Sequence, residues 1–387
     1  MVSIAASERP SGFVTAAADP HVNGRGMTRI GKWRLAKRVS AVLGLIGIAV
    51  VAAPGSPVPY LLQQGYYQGE LLWGRVPLDE AIETADLTDK QIEKLKLVEQ
   101  VKAYGQRIGL SATDNYSTVN PTWNRTIYNV SACQPHAFEP VTYWFPIVGE
   151  VPYLGFFQEA DATVHARALR TEGYDVRLRT AGAYSTLGWF EDPVLMNMLD
   201  WSEASLADTI LHELVHATVW IPGSVQFNES FANFVGQEAA RRYMLDKYGP
   251  DHKAVTKLSR RGTDRSTHRA LLHQVYKDLD ALYRDPDLAP AAKETRRRAI
   301  FAAIPTRVAQ LPLDRSRAYV AAAQRTEWNN AKMMSFRRYN KAQDHFQAIL
   351  DDEDGDLLSF ILRIEKIAAG AKKPSKALQR AAEALEP

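Results

Sequence analysis

The sequence predicts an α+β fold: a small mixed sheet packed on a metal-binding helix, between mostly helical N- and C-terminal parts. Three observations carry this. Apolar residues recur at helical spacing through 88–110 and 205–248. Between 115 and 193 the period changes to short alternating and aromatic-rich runs. Beyond 250 a helical stripe returns among many charges. A length of 387 residues, 46% of them hydrophobic, suits two or three packed units. The expected divisions are a disordered, basic region (1–38), a signal peptide or membrane anchor (39–62), a helical segment (63–114), the catalytic core (115–250) and a helical C-terminal part (251–387).

Residues 1–26 are rich in Ala, Ser and Gly and show no periodicity. Arg29, Lys32, Arg34, Lys37 and Arg38 then precede the uncharged apolar run Val39–Ala53, the layout of an export signal. The run is shorter than the roughly 20 residues of a full span. If uncut, it extends through Pro54–Leu62 as an anchor with its basic side cytoplasmic. Either reading puts the body in the periplasm or cell envelope, and the second holds it at the inner membrane. Met27 is an alternative start.

Thr88-Asp89-Lys90-Gln91 reads as a capping box, followed by Ile92, Leu95, Val98, Val101 and Tyr104 and stopped by Gly109. Thr126–Val130 alternates. Thr142–Val148 and Val151–Phe157 read as a hairpin meeting at Gly149-Glu150. Glu159–Glu172 is a crossover helix closed by Gly173, and Asp175–Arg179 and Tyr184–Phe190 are strands. Asn115, Asn124, Asn129 and Asn228 begin N-x-Ser/Thr triplets that read as incidental. Residues 254–310, with Arg296-Arg297-Arg298, read as a solvated helical face, and His252, His268 and His273 as surface residues. Helices are expected over 317–351 and Leu357–Ala369, with a frayed tail from Lys372.

Net charge is +3, and the excess base is not gathered in one aromatic-interleaved stripe, which excludes nucleic acid as a partner. Cys133 is the only cysteine, so no intramolecular disulfide and no cysteine-based zinc site can form.

The chemistry concentrates in Ser205–Tyr243. Ser205-Leu206-Ala207-Asp208 reads as the capping-box start of a buried helix that Pro222-Gly223 stops. On it, His212-Glu213-Leu214-Val215-His216 is an H-E-x-x-H pattern, and residues four apart on a helix point the same way. Two imidazoles so placed can bind one ion, with Glu213 beside them as general base. Glu229, near the start of the next helix, is the expected third ligand. Glu238 is its rival, and Pro222 excludes a His six residues after His216. Two His and one Glu suit zinc with an open fourth position. Asn233 and Asp208, one turn from ligands, are candidates to orient the imidazoles. Tyr339, with Tyr184 behind it, is the candidate donor to a transition-state oxyanion. Tyr184, Ser185, Thr186, Leu187 and Gly188 form a candidate strand for an extended peptide substrate.

Phe227-Asn228-Glu229-Ser230-Phe231-Ala232 resembles the N-E-x-F-A segment of gluzincin aminopeptidases. Together with Ala183–Phe190, Asp192-Pro193 and His212–His216, it resembles a bacterial family of putative zinc aminopeptidases, over about Gln64 to Leu350. The similarity includes Asn329-Asn330-Ala331 and Tyr339. It implies a zincin-like fold, an envelope location and peptidase activity. It places zinc on His212, His216 and Glu229 and the general base on Glu213. Two departures matter. The spacer between His216 and Glu229 is shorter than in well-known gluzincin aminopeptidases, so their amine-binding apparatus does not carry over. No lipid-attachment cysteine lies between Val39 and Gln64. Glu191 and Asp192 are the candidate acids for a free amino terminus. Three functions follow: a zinc aminopeptidase, a zinc endopeptidase with the same site, and a non-catalytic peptide-binding envelope protein. The third gains nothing from Glu213.

Overall fold

The structure is a computed structural model that describes residues 58–145, 149–181 and 191–385. Val39–Pro57 of the expected signal or anchor, and the expected strand Tyr184–Phe190, lie outside the described residues. The remainder of the anchor segment opens helix α1, Val58–Trp73. Among the described residues no helix is long and apolar enough to cross a membrane.

The single helical region expected over 63–110 is three helices: α1, α2 (Leu78–Thr84) and α3 (Asp89–Arg107). The Thr88 box forms as read: its side chain accepts from Gln91 N, and the Gln91 side chain accepts from Thr88 N. Gly109, at φ +93°, ends the segment in the left-handed region.

The strands make small antiparallel sheets. β1 (Val76–Pro77) pairs with β2 (Thr118–Val119). β3 (Tyr128–Cys133) is the centre of the main sheet. β4 (Tyr143–Phe145) pairs with β5 (Gly149–Val151), and β6 (Leu154–Phe156) and β7 (Asp175–Thr180) flank β3. Two corrections follow. Gly149 and Glu150 lie inside a strand rather than at a turn: β4 and β5 pair with Phe145 opposite Gly149, and Pro152, which has no N–H for a ladder, separates β5 from β6 of the main sheet. The main sheet is antiparallel rather than mixed. The crossover helix α4 (Glu159–Thr171) joins the parallel-running β6 and β7, but β3 sits between them.

The metal-motif helix α5 spans Glu203–Thr218. It starts three residues before the expected cap sequence: Ser202 is the N-cap and accepts from Ser205 N at 3.2 Å. It also ends before Pro222, at Thr218. Leu206, Ile210, Leu211, Leu214 and Val215 are buried. α5 packs between α3 and α6 (Val225–Tyr248). The sheet's main partners are α4 and α11 (Asn330–Asn340), so it reaches the metal helices through α11 instead of lying on α5.

The C-terminal part holds α7 (Lys253–Arg284), α8 (Pro290–Ala302), α9 (Ile304–Ala309), α10 (Ser316–Arg325), α12 (Gln343–Asp352), α13 (Leu357–Ala368) and α14 (Pro374–Glu383). The expected continuous helix over 317–351 is broken twice. Asn329 caps α11 by accepting from Lys332 N, and Ala342 turns the chain at φ +60°. The tail is not frayed: Leu378 and Ala382 bury one side of α14. Arg297 is also not solvated. It is 8% exposed and pairs with Asp175 and Glu294. His268 and His273 are half-buried, and His273 Nε2 meets Asn340 O at 2.9 Å.

Two apolar cores result. One surrounds α5 and α6 and includes α12–α14. There Phe227, Phe231 and Phe234 meet Phe346 and Phe360. The other gathers Leu272, Val275, Leu279, Phe301 and Met333.

Candidate metal centre

α5 presents His212 and His216 one turn apart, their ring nitrogens 3.2 Å from each other. α6 folds back across Ile221–Ser224 and delivers Glu229. Asn228 secures this return: its side chain donates to Ile221 O at 2.9 Å and accepts from Ile221 N at 3.0 Å. At 1% exposure Asn228 is no glycosylation site. Glu229 Oε2 lies 3.4 Å from His212 Nε2 and 3.8 Å from His216 Nε2.

This triangle fits a metal ion. Ligand atoms bound at roughly 2.0–2.1 Å and spread tetrahedrally stand about 3.3–3.4 Å apart. Among the described residues, His212, His216 and Glu229 are the group of titratable side chains disposed to hold one. Glu238 is occupied elsewhere, 2.7 Å from Arg241 Nη2 and 2.8 Å from Arg242 Nε. Burial pushes the Glu229 carboxyl up, but hydrogen bonds with His212 and His216 outweigh it and hold the carboxyl well below its usual range. Burial pushes His212 down, and Glu229 and Glu213 reverse this and raise it.

Helix spacing is fixed behind the ligands. A Cβ on Gly236 would stand 2.9 Å from Asp208 O and 3.1 Å from His212 Cβ, so a methyl group there would force α6 away from α5. Asp208 is one turn from His212, and burial lifts its carboxyl to about 6, opposed by Arg265 and His212. No hydrogen bond joins Asp208 to His212 among the described residues. His216 Nδ1 is buried without a partner there. Asn233 does not orient an imidazole. Its Nδ2 donates to Tyr339 O at 2.9 Å, and its Oδ1 accepts from Gln237 at 2.8 Å.

That bond belongs to a set. The last carbonyls of a helix lack intrahelical partners. At the end of α11, Ser230 donates to Arg338 O, Asn233 to Tyr339 O, and His273 meets Asn340 O, each at 2.9 Å. α6 therefore holds both Glu229 and the backbone that carries Tyr339. The Tyr339 ring stands 6.4 Å from that of His212. Burial raises its hydroxyl pKa, and Glu229 adds to this. Tyr339 thus joins the site despite its distance in sequence. Tyr184–Gly188 lie outside the described residues.

Two tyrosines here have no counterpart in the expected set. Tyr153, between β5 and β6, is pushed up by burial and by its neighbours Tyr339 and Glu229. Tyr116 is 1% exposed, and its hydroxyl has no partner among the described residues. Burial raises it well above the usual range, and Glu213 is the leading charge acting on it. Its φ of +58° is uncommon for a non-glycine residue, and its N–H is held by Asp192 O at 2.7 Å. Nothing local in the sequence marks either residue. Of the candidate amine-binding acids, Glu191 lies 3.6 Å from Arg75 and Asp192 is 2% exposed.

Fold and site define a mostly helical α+β protein whose two packed helices gather two histidines and a glutamate around space for an ion. The chain belongs to the family described as "Putative aminopeptidase", whose sequence model matches residues 59–378. No curated protein and no solved structure matches it.

Proposed function

We propose that the protein is a zinc-dependent peptidase acting on peptide or protein substrates, an aminopeptidase as its family name suggests. The observation that carries this reading is the His212–His216–Glu229 triangle with Glu213 beside it. His212, His216 and Glu229 would hold zinc, leaving a fourth position open. The bound ion would supply Lewis acidity to a scissile carbonyl and to a water. Glu213 takes the proton of the attacking water and returns it to the leaving amine. Tyr339, fixed through Asn233, donates to the oxyanion as it forms. Export through residues 39–62 to the cell envelope accompanies this reading.

Purified full-length protein is assayed on matched peptides with free and N-acetylated amino termini, before and after chelation. Cleavage only of free-amine peptides, lost on chelation and restored by zinc, is expected. Equal cleavage of both sets assigns an endopeptidase. Undiminished cleavage by metal-free protein would sink the zinc mechanism.

A further inference from the structure

Cations gather along one wall of this site, and among the described residues no ion pair joins them to an acid. Arg177 and Arg179 share a face of β7, since alternate strand residues point the same way. α11 crosses that sheet and contributes Lys332 and Arg338. Arg177 donates to Ser335 Oγ on α11. The Arg338 guanidinium lies 5.2 Å over the Tyr153 ring, and the Lys332 ammonium 5.9 Å over that of Trp328. Tyr339 follows Arg338 directly and carries the line to the metal ligands, 6.4 Å from His212 ring to ring.

The ion pairs of the described residues engage other arginines and lysines, such as Arg170, Arg241, Arg242 and Arg297. The internal segments 146–148 and 182–190, outside the described residues, contain no Asp or Glu. The four cations nevertheless sit close together, three half-buried and one buried. Arg338 is 7% exposed. Burial and Arg179 push Arg177 down to about 10, while burial, Arg177 and Arg179 push Lys332 down to about 8. Clustered, partly buried like charges cost stability unless a ligand compensates them. Such groups are typical of binding sites.

We infer that the wall formed by Arg177, Arg179, Lys332 and Arg338 receives a carboxylate of the substrate. The inference rests on the peptidase reading of the same site and names its substrate class: peptides bearing an anionic group near the scissile bond. The carboxylate can be a free C-terminus, as in short peptides, or an acidic side chain. Both offer planar oxygen pairs that guanidinium forks match.

The test uses zinc-loaded full-length protein and peptides identical except for C-terminal acid or amide, and for Glu or Gln in one position. The preferred acid form should show about tenfold or higher kcat/KM, mainly through KM. Arg179→Gln and Lys332→Gln should shrink that ratio toward one, and Arg179→Lys should restore part of it. Thermal unfolding verifies that each variant folds. A preference confined to the C-terminal acid identifies short peptides, and one following Glu identifies acidic side chains. Equal values for every acid and neutral pair overturn the inference. Calorimetry of the same peptides on Glu213→Gln separates the two readings. Acid-selective binding without hydrolysis by any form removes the peptidase and keeps the wall. Hydrolysis without selectivity does the reverse.

Discussion

The site has two halves of different origin. One is continuous: α5 and α6, residues 203–248, hold the three candidate ligands and Glu213 on two helices joined by a tight turn. The other is gathered from afar: Tyr116 follows α3, Tyr153 lies between two strands, and Tyr339 ends α11. In the continuous half, helix geometry alone aims the candidate ligands at one point. The gathered half shows that the hydroxyls around them depend on tertiary packing, above all on α6 side chains that cap α11.

Replacements rank the two halves. Glu229→Ala should have the largest effect, losing zinc by metal analysis and all hydrolysis. Retention of zinc there, with its loss in Glu238→Ala, would move the ligand along α6. Glu213→Gln should keep the metal and lower kcat by ~10²–10⁴-fold. Full activity in that variant ends the proposed base role. Tyr339→Phe tests the gathered half: kcat should fall by about 10²–10³-fold with zinc unchanged. A wild-type rate would confine catalysis to the continuous half. Asn233→Ala removes one tether of Tyr339, and should cost about 1 kcal/mol in denaturant unfolding together with a smaller fall in kcat. Loss of stability without loss of rate would make the tether purely architectural. Glu238→Ala should be mildest, within about 1 kcal/mol of the parent and fully zinc-loaded, since it breaks only pairs with partly exposed arginines.

What was legible in the sequence follows the same division. The 3.6-residue period and the H-E-x-x-H spacing placed His212, Glu213 and His216 on one buried helix, and Glu229 on the next, before any coordinates. The Thr88 box and the stops at Gly109 and Gly173 also formed as read, since each acts within a few residues. Boundaries that depend on competition between neighbours did not. Ser202 displaced Ser205 as the cap, and Gly149-Glu150 went into a strand instead of a turn. Charge misled where burial decides its meaning: the Arg296–Arg298 run looked solvated, yet Arg297 is locked to Asp175 on β7. Asn233 was expected to orient an imidazole, yet its amide donates to a carbonyl more than a hundred residues away, which no local pattern shows. Tyr116 and Tyr153 carried no local signal.

The aromatic junction of Phe227, Phe231 and Phe234 with Phe346 and Phe360 also sets an order of events. Nascent chain emerging through residue 248 already contains every candidate ligand, but the side of α6 opposite them has no cover until α12 and α13 are made. Long-range contacts of this kind form late. Metal affinity draws on the folded arrangement of its ligands. Metal capture at the candidate site would therefore be a closing step of biogenesis. Chains shortened to end before Phe346 should fail to retain the ion although His212, His216 and Glu229 are all present.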